Sequence, residues 1–97
     1  MIATPKAISF PLGQLAITPG ALKAIRDTGR FAIDYLARHA RGDWGEELDP
    51  ADWNANDVAL IDGERLLSAY SLSSGVVIWV ISESDRSATT ILLPEEY

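Results

Sequence analysis

The spacing of apolar residues changes at Arg65, and this change constrains the fold more than any other feature of the chain. Before it, apolar residues recur every three to four positions, which is typical of helices. After it, they form short runs rich in Val, Ile, Thr, Tyr and Trp, which are typical of strands. Three strands are therefore predicted, over residues 65–72, 76–82 and 89–94.

The middle run, VVIWVIS, is apolar at every position from Val76 to Ile81. A strand with two apolar faces is usually covered on both of them. We therefore expect Trp79 to be buried. The helices would cover one face of the sheet, and the N-terminal segment or a second subunit would cover the other.

Three helices are predicted before the strands. Two of them begin with a capping residue followed by proline, at Thr18-Pro19 and at Asp49-Pro50. Glycines mark the predicted ends, which gives helices over residues 21–27, 30–40 and 50–62.

Two expectations about side chains follow from this helical spacing. In the second helix, Asp34 and Arg38 have the i,i+4 spacing of an exposed ion pair. In the third helix, Ala55, Val58 and Ile61 are expected to form the buried stripe.

These elements predict a single α+β domain over residues 1–97, with N-terminal helices packed on a three-stranded antiparallel C-terminal sheet. Residues 8–17 form either a short additional strand or an extended lead-in, because Pro11 and Gly13 exclude a central strand. The first residues lack the apolar core of a signal peptide, and no apolar run is long enough to span a membrane. We therefore expect a cytoplasmic protein without membrane contact.

Charge is distributed unevenly along the chain, although the net charge is only −6. Residues 1–41 carry +4, residues 42–64 carry −8 and residues 65–97 carry −2. Because phosphate binding depends on clustered cations, this balance argues against nucleic-acid binding. A compact acidic surface instead favours a basic protein partner.

The acidic stretch is the first candidate partner-binding surface. Its acids cap a helix and otherwise form either a solvated face or a docking surface for a basic protein. Trp44 and Trp53 lie within it, and each is either an interface anchor or a core residue. The predicted partner-binding residues here are Asp43, Trp44, Glu46, Glu47, Asp49 and Asp52.

The segment SESDRSATT, between the last two strands, is the second candidate surface. It is longer than a hairpin requires, and Asp85 is suited to bonding the backbone of its own turn. Asp85, Arg86 and Ser87 therefore form either an ordinary long loop or a polar recognition tip. Ser87, Thr89 and Thr90 are expected to line a solvent-exposed face.

Catalysis has little support in the residues. The chain has no Cys and one His, which excludes thiolate chemistry and zinc–sulfur sites. No cofactor or metal motif is present, and neither a cofactor nor a metal is predicted. His39 is either a helix-end residue or a general acid–base. If the protein is an enzyme, His39, Arg86 and Tyr97 are the catalytic candidates.

Four segments resemble a family of small bacterial proteins carried on plasmids, phages and integrative elements and often labelled plasmid-related: ITPGALKAI, YLARHARGDWG, RLLSAY and IWVISESDRSATTILLPEEY. The resemblance covers residues 17–97 and implies a bacterial cytoplasmic protein of mobile-element origin, with no catalytic residue implied. The order of elements is also similar to the RelE/ParE toxin fold. Those ribonucleases are usually basic, and this acidic chain departs from them.

Three functions follow from these observations. The first is a non-enzymatic accessory protein of a mobile element that contacts a basic partner, such as a nucleic-acid-handling host protein or a defence effector. The alternatives are a RelE-like ribonuclease, or a degenerate relative of one, and a domain that mainly forms a homodimer. A continuous acidic face favours the first, and a basic concave sheet face around Arg86 favours the second.

Overall fold

The computed structural model describes residues 10–97, and its elements confirm the α+β class. Two predictions concern residues 1–9, which lie outside the described residues. They are the absence of a signal peptide and the first part of the N-terminal strand. The helices are α1 (Pro19–Asp27), α2 (Ala32–Ala40) and α3 (Pro50–Asp62). The strands are β1 (Gln14–Ile17), β2 (Leu66–Ser71), β3 (Val77–Ser82) and β4 (Ala88–Leu92), and a 3-10 turn covers Pro94–Glu96.

The sheet has the strand order β1-β4-β3-β2. The three C-terminal strands are antiparallel, as predicted, with Trp79 opposite Ala69 on β2 and opposite Leu92 on β4. The additional N-terminal strand is present and lies parallel to β4, with Ile17 opposite Ile91. The sheet is therefore mixed rather than purely antiparallel.

Local capping explains where the helices begin and end. The Thr18 side chain accepts a bond from the Ala21 amide, and the Asp49 side chain accepts one from the Asp52 amide. Gly63, with φ of 73°, ends α3 in the left-handed conformation. The capping signals in the sequence therefore set these boundaries, and α1 begins at the proline rather than two residues later.

The helices cover one face of the sheet, which we call the inner face. Side chains of α1 and α2 meet alternate residues of the strands there, and the resulting cluster is almost fully buried. Its members are Ala21, Ile25, Tyr35, Leu36, Tyr70, Leu72, Ile78, Val80 and Ile91.

The predicted buried stripe of α3 is wrong. Ala55 is exposed, and the exposed fractions of Val58 and Ile61 are 54% and 85%. The helix buries Asn56 and Ala59 instead. The reason is that α3 packs against the edge strand β2, so only a narrow side of the helix meets protein.

The opposite, outer face of the sheet is less covered than the sequence predicts. Trp79 lies on this face and is half-buried rather than buried. The chain end folds back over it, and the Tyr97 ring packs edge-on with its centroid 5.8 Å away. Its neighbours on the same face, Ala69, Ile81 and Leu92, are buried, whereas Tyr97 is itself 68% exposed, so the cover over Trp79 is only partial.

The predicted pair between Asp34 and Arg38 is also wrong. Asp34 accepts a bond from the Phe31 amide at 3.0 Å, which satisfies the start of α2. Arg38 points the other way and pairs with Asp43 and Glu46. A free backbone donor and two nearby carboxylates outcompete one exposed i,i+4 contact, which is worth only a few tenths of a kcal/mol.

Candidate functional site

The acidic stretch lies along the outer edge of β2 and fills its hydrogen bonds. The Ala69 amide donates to the Trp44 carbonyl at 2.9 Å, and the Glu47 amide donates to the Ala69 carbonyl at 3.2 Å. The Asn56 side chain donates to the Leu67 carbonyl at 2.6 Å and accepts from the Leu67 amide at 3.1 Å. Unpaired sheet edges invite association with other chains. We call residues 43–64 the acidic segment, and its residues Trp44, Glu47 and Asn56 block this edge.

Gly45 allows the acidic segment to approach the strand so closely. Its φ is 97°, and a Cβ at this position would lie 1.9 Å from the Ala69 carbonyl oxygen. Only glycine tolerates both the left-handed conformation and this contact.

The two tryptophans of the segment help to hold it in place. Trp44 is fully buried, and its indole N–H donates to Asp57 at 2.9 Å. Trp53 is half-buried and donates to the Gly45 carbonyl at 2.9 Å. Trp44 is therefore a core residue, while Trp53 keeps one surface towards solvent.

A groove of about 600 Å³ opens beside Trp53. Its apolar lining comes from Leu48, Pro50 and Trp53, and its polar wall is built around Arg38. The residues that line it are Arg38, Asp43, Gly45, Glu46, Leu48, Pro50, Trp53 and Asn54. Of the predicted partner-binding residues, Asp43 and Glu46 face this groove.

Arg38 organises the polar wall of the groove. Its guanidinium bonds Asp43 at 2.7 Å and Glu46 at 2.9 Å, and it lies 4.3 Å from the centre of the Tyr70 ring. Glu46 also accepts a bond from the Ser71 amide at 3.0 Å. Burial raises the pKa of Glu46, but the bonds from Ser71 and Arg38 outweigh it and lower the pKa below its usual value. Glu46 therefore has a structural role as well as a negative charge.

The remaining acids of the segment are exposed, and none of them forms an ion pair within residues 10–97. Asp49 is the cap of α3 and Asp57 accepts from Trp44, but both residues are exposed to water. The unpaired acids are Glu47, Asp49, Asp52, Asp57, Asp62 and Glu64. These carboxylates have no ion-pair partner within residues 10–97, and the one guanidinium that reaches α3, that of Arg86, bonds backbone carbonyls at its C-terminal end.

The turn between β3 and β4, which contains Asp85, Arg86 and Ser87, is held by several hydrogen bonds although its residues are polar. Asp85 accepts a bond from the Ser87 amide at 3.0 Å, and its bonds with the Ser87 side chain and backbone lower its pKa. Arg86 adopts φ of 60°, and its guanidinium turns back to bond the carbonyls of Glu64 at 2.6 Å and Ala59 at 3.4 Å. Arg86 thus satisfies carbonyls at the end of α3, where a cation is also favoured by the helix dipole.

His39 is fully buried and connects α2 to two strands. Its Nδ1 pairs with the Ser68 hydroxyl at 2.5 Å and its Nε2 with the Ser82 hydroxyl at 2.9 Å. Ser82 in turn pairs with Thr89 at 2.7 Å, and Thr89 donates to the Leu12 carbonyl at 2.7 Å. Thr89, expected on a solvent-exposed face, is therefore buried.

The direction of this network follows from counting protons. The Thr89 hydroxyl gives its proton to the Leu12 carbonyl, so it must accept from Ser82. Ser82 then has no further proton and accepts from Nε2 of His39. Burial, with a smaller effect from the charge of Arg86, lowers the pKa of His39 to about 3, so the ring is neutral at pH 7 and its Nδ1 accepts from Ser68. His39 is thus protonated at Nε2.

The three catalytic candidates do not form one site. Phe10 lies between two of them, with its ring centroid 5.4 Å from that of His39 and 5.5 Å from the guanidinium carbon of Arg86. Tyr97 lies on the outer face, where its hydroxyl accepts from Arg65 at 2.6 Å. Within residues 10–97 no group of His, Asp and Glu side chains is arranged to hold a metal ion.

Sequence reasoning missed the residues that make these networks. Ser68, Ser82 and Thr89 occupy inward positions of otherwise apolar strands, between Leu66 and Tyr70, after Val80 and before Ile91 respectively. A polar residue at an inward position must find a buried partner, and this signal was available. For Asn56 and Gly45 no comparable local signal exists, because both act on a strand distant in sequence.

Comparison of the chain with protein-family models, with curated protein sequences and with solved structures finds no match. None of the helices described between residues 10 and 97 is both long enough and apolar enough to cross a membrane.

Proposed function

We propose that the protein is a non-enzymatic binding protein that docks a basic protein partner on its acidic segment. The observation that carries this proposal is the set of exposed acids from Glu47 to Glu64 that have no ion pair within residues 10–97. Uncompensated charge of one sign costs stability through self-repulsion, and it accelerates association with an oppositely charged surface.

The groove beside the segment supports the same function. Trp53 and Leu48 give it an apolar lining, while its polar wall places the single cation of Arg38 against the two carboxylates of Asp43 and Glu46, which leaves a net negative charge. An apolar groove with a net negative wall suits the side chain of Lys or Arg, whose aliphatic stem packs while its charged end stays at the rim. A basic segment lying along α3 would satisfy both features.

The biological setting is part of the proposal. The resemblance to small proteins of plasmids, phages and integrative elements supports a cytoplasmic accessory protein of a mobile element. A nucleic-acid-handling host protein or a defence effector would supply the basic surface, since proteins that bind phosphates carry clustered cations. The ribonuclease alternative has less support, because His39 is buried and Tyr97 lies on the other face of the sheet.

The test is affinity purification of the tagged protein from its host, followed by association kinetics with the captured partner at two salt concentrations. The variant Glu47→Lys/Asp62→Lys reverses two acids whose side chains make no intramolecular bond within the described chain. Glu46 is unsuited to this test because it bonds Arg38 and the Ser71 amide. The control, Glu83→Lys/Glu95→Lys, changes the net charge equally outside the segment.

We expect the segment variant to slow association at least about tenfold at low salt, with little change in dissociation, since steering charges act mainly on the on-rate. Raising the salt should remove most of the difference, because exposed charges are screened beyond about 8 Å at physiological ionic strength. Equal effects of the two variants, or a salt-independent on-rate, would contradict the proposal.

A further inference from the structure

The two edges of the sheet use their backbone groups differently. At the β2 edge, the acidic segment bonds the backbone of Leu67 and Ala69. At the β1 edge, the Gln14 amide donates to Ser87 at 2.9 Å and the Thr18 amide donates to Ile91 at 3.0 Å, both towards β4.

Successive backbone groups of a strand point to opposite sides, so the amides and carbonyls of Leu15 and Ile17 point away from β4. Within residues 10–97 no group bonds them, and β1 is the last strand on this side of the sheet. Among the residues that the structure describes, the β1 edge therefore presents unsatisfied donors and acceptors in strand geometry.

The side chains of β1 leave the same edge uncovered. Leu15 is in register with Thr89, which is fully buried on the inner face, yet 52% of Leu15 is exposed. Edge strands are commonly protected from pairing by a charge, a proline or a very short length. β1 has only four residues, but it carries neither a charge nor a proline, and no charged residue occurs between Phe10 and Leu22.

We propose that β1 pairs with β1 of a second copy of the chain, forming a two-fold symmetric dimer with one continuous sheet. Antiparallel pairing about an axis through Ala16 places Leu15 opposite Ile17 of the second copy. Both residues have outward amides and carbonyls, so each such pair exchanges two backbone hydrogen bonds. The surface is thus self-complementary, as a two-fold interface requires.

The same pairing would cover the exposed Leu15 side chain with Ile17 of the second copy on the inner face. The strand is short, so the dimer is weak and reversible, as expected for small interfaces. It is independent of the proposed basic partner, because the acidic segment borders the opposite edge of the sheet.

Sedimentation equilibrium of the full chain over a wide concentration range tests the dimer. Leu15→Pro removes an outward amide without removing a bond to β4, and it should raise the dissociation constant at least about tenfold, since each copy loses a backbone donor. Leu15→Lys should act similarly by placing a charge at the edge. Leu22→Lys makes the same change at an exposed leucine of α1 and should leave the dissociation constant unchanged.

Amide hydrogen exchange gives a second measurement on the unmodified chain. The Leu15 and Ile17 amides should become protected as concentration rises, whereas the Gln14 and Thr18 amides should be protected at every concentration. A monomer at all concentrations, or a dimer that both Leu15 variants leave intact, would overturn the proposal. Protection of Leu15 and Ile17 that does not depend on concentration would also overturn it, because the edge would then be filled within the chain.

Discussion

Nε2 of His39 lies 2.9 Å from Oγ of Ser82, although the two residues are 43 positions apart in the chain. Together with the bond from Ser68, this contact fixes α2 over β2 and β3. The ring is the centre of a fully satisfied buried network, and a buried polar network of this kind specifies one arrangement of the elements that it joins.

The first prediction concerns the dependence of stability on pH. The folded pKa of His39 is about 3, below the ordinary value of 6.5, so between these two values only the unfolded chain binds the proton. The stabilisation is therefore complete above pH 6.5 and is lost as pH falls, by up to about 1.4 kcal/mol per pH unit from this group. Urea melts from pH 7 to pH 4 would measure it.

The control for this prediction is His39→Gln, which cannot titrate. At pH 7 it should lower the free energy of unfolding by about 1–3 kcal/mol, because it disturbs buried hydrogen bonds. The difference between the wild type and the variant should shrink as pH falls. A difference that stays constant down to pH 4 would contradict the neutral, buried ring.

A second prediction compares two glycines that both have positive φ. Gly45→Ala places a methyl group against the Ala69 carbonyl, whereas at Gly75, with φ of 91°, an added Cβ meets nothing within 4 Å. Gly75→Ala should therefore cost only the backbone strain of about 1–2 kcal/mol. Gly45→Ala should cost clearly more, because the acidic segment must also move away from β2. Similar losses in denaturant melts would show that the close approach is absent.

Asn56 and Asn54 give a third comparison, on the same helix. The Asn56 side chain both donates to and accepts from the backbone of Leu67. Asn56→Ala leaves these groups without partners and should destabilise the protein by about 2–4 kcal/mol. Asn54 is exposed and forms no hydrogen bond with the described chain, so Asn54→Ala should change stability by less than about 0.5 kcal/mol. Faster hydrogen exchange at the Leu67 amide in the Asn56 variant alone would support the edge contact.

The fourth prediction ranks two tryptophans. Trp44 is fully buried and bonded to Asp57, so Trp44→Ala should cost about 3–5 kcal/mol. Trp79 is half-buried under Tyr97, and Trp79→Ala should cost about 1–3 kcal/mol because less apolar area is lost. Thermal or denaturant unfolding of both variants would test the order, and a larger loss at Trp79 would mean that the outer face is covered in solution.

The sequence predicted the type and position of most elements because their signals are local. Capping at Thr18 and Asp49 depends on residues within one turn of the helix. The segments that form β2, β3 and β4 are recognisable from their content of β-branched and aromatic residues. Which face of an element is buried was predicted less well. On α3 the exposed Ile61 and the buried Asn56 reverse the expectation from hydrophobicity, because the helix meets an edge rather than a face of the sheet.

The candidate site likewise has features that were predictable from the sequence and features that were not. The sequence by itself determined the concentration of acids in residues 43–64 and the absence of Lys and Arg there. Only the tertiary structure decided which of those acids remain unpaired, because Arg38 pairs with Asp43 and Glu46 from another element. Only the tertiary structure likewise gave His39 its serine partners and turned Arg86 towards α3, since these contacts join residues whose separation along the chain carries no local signal.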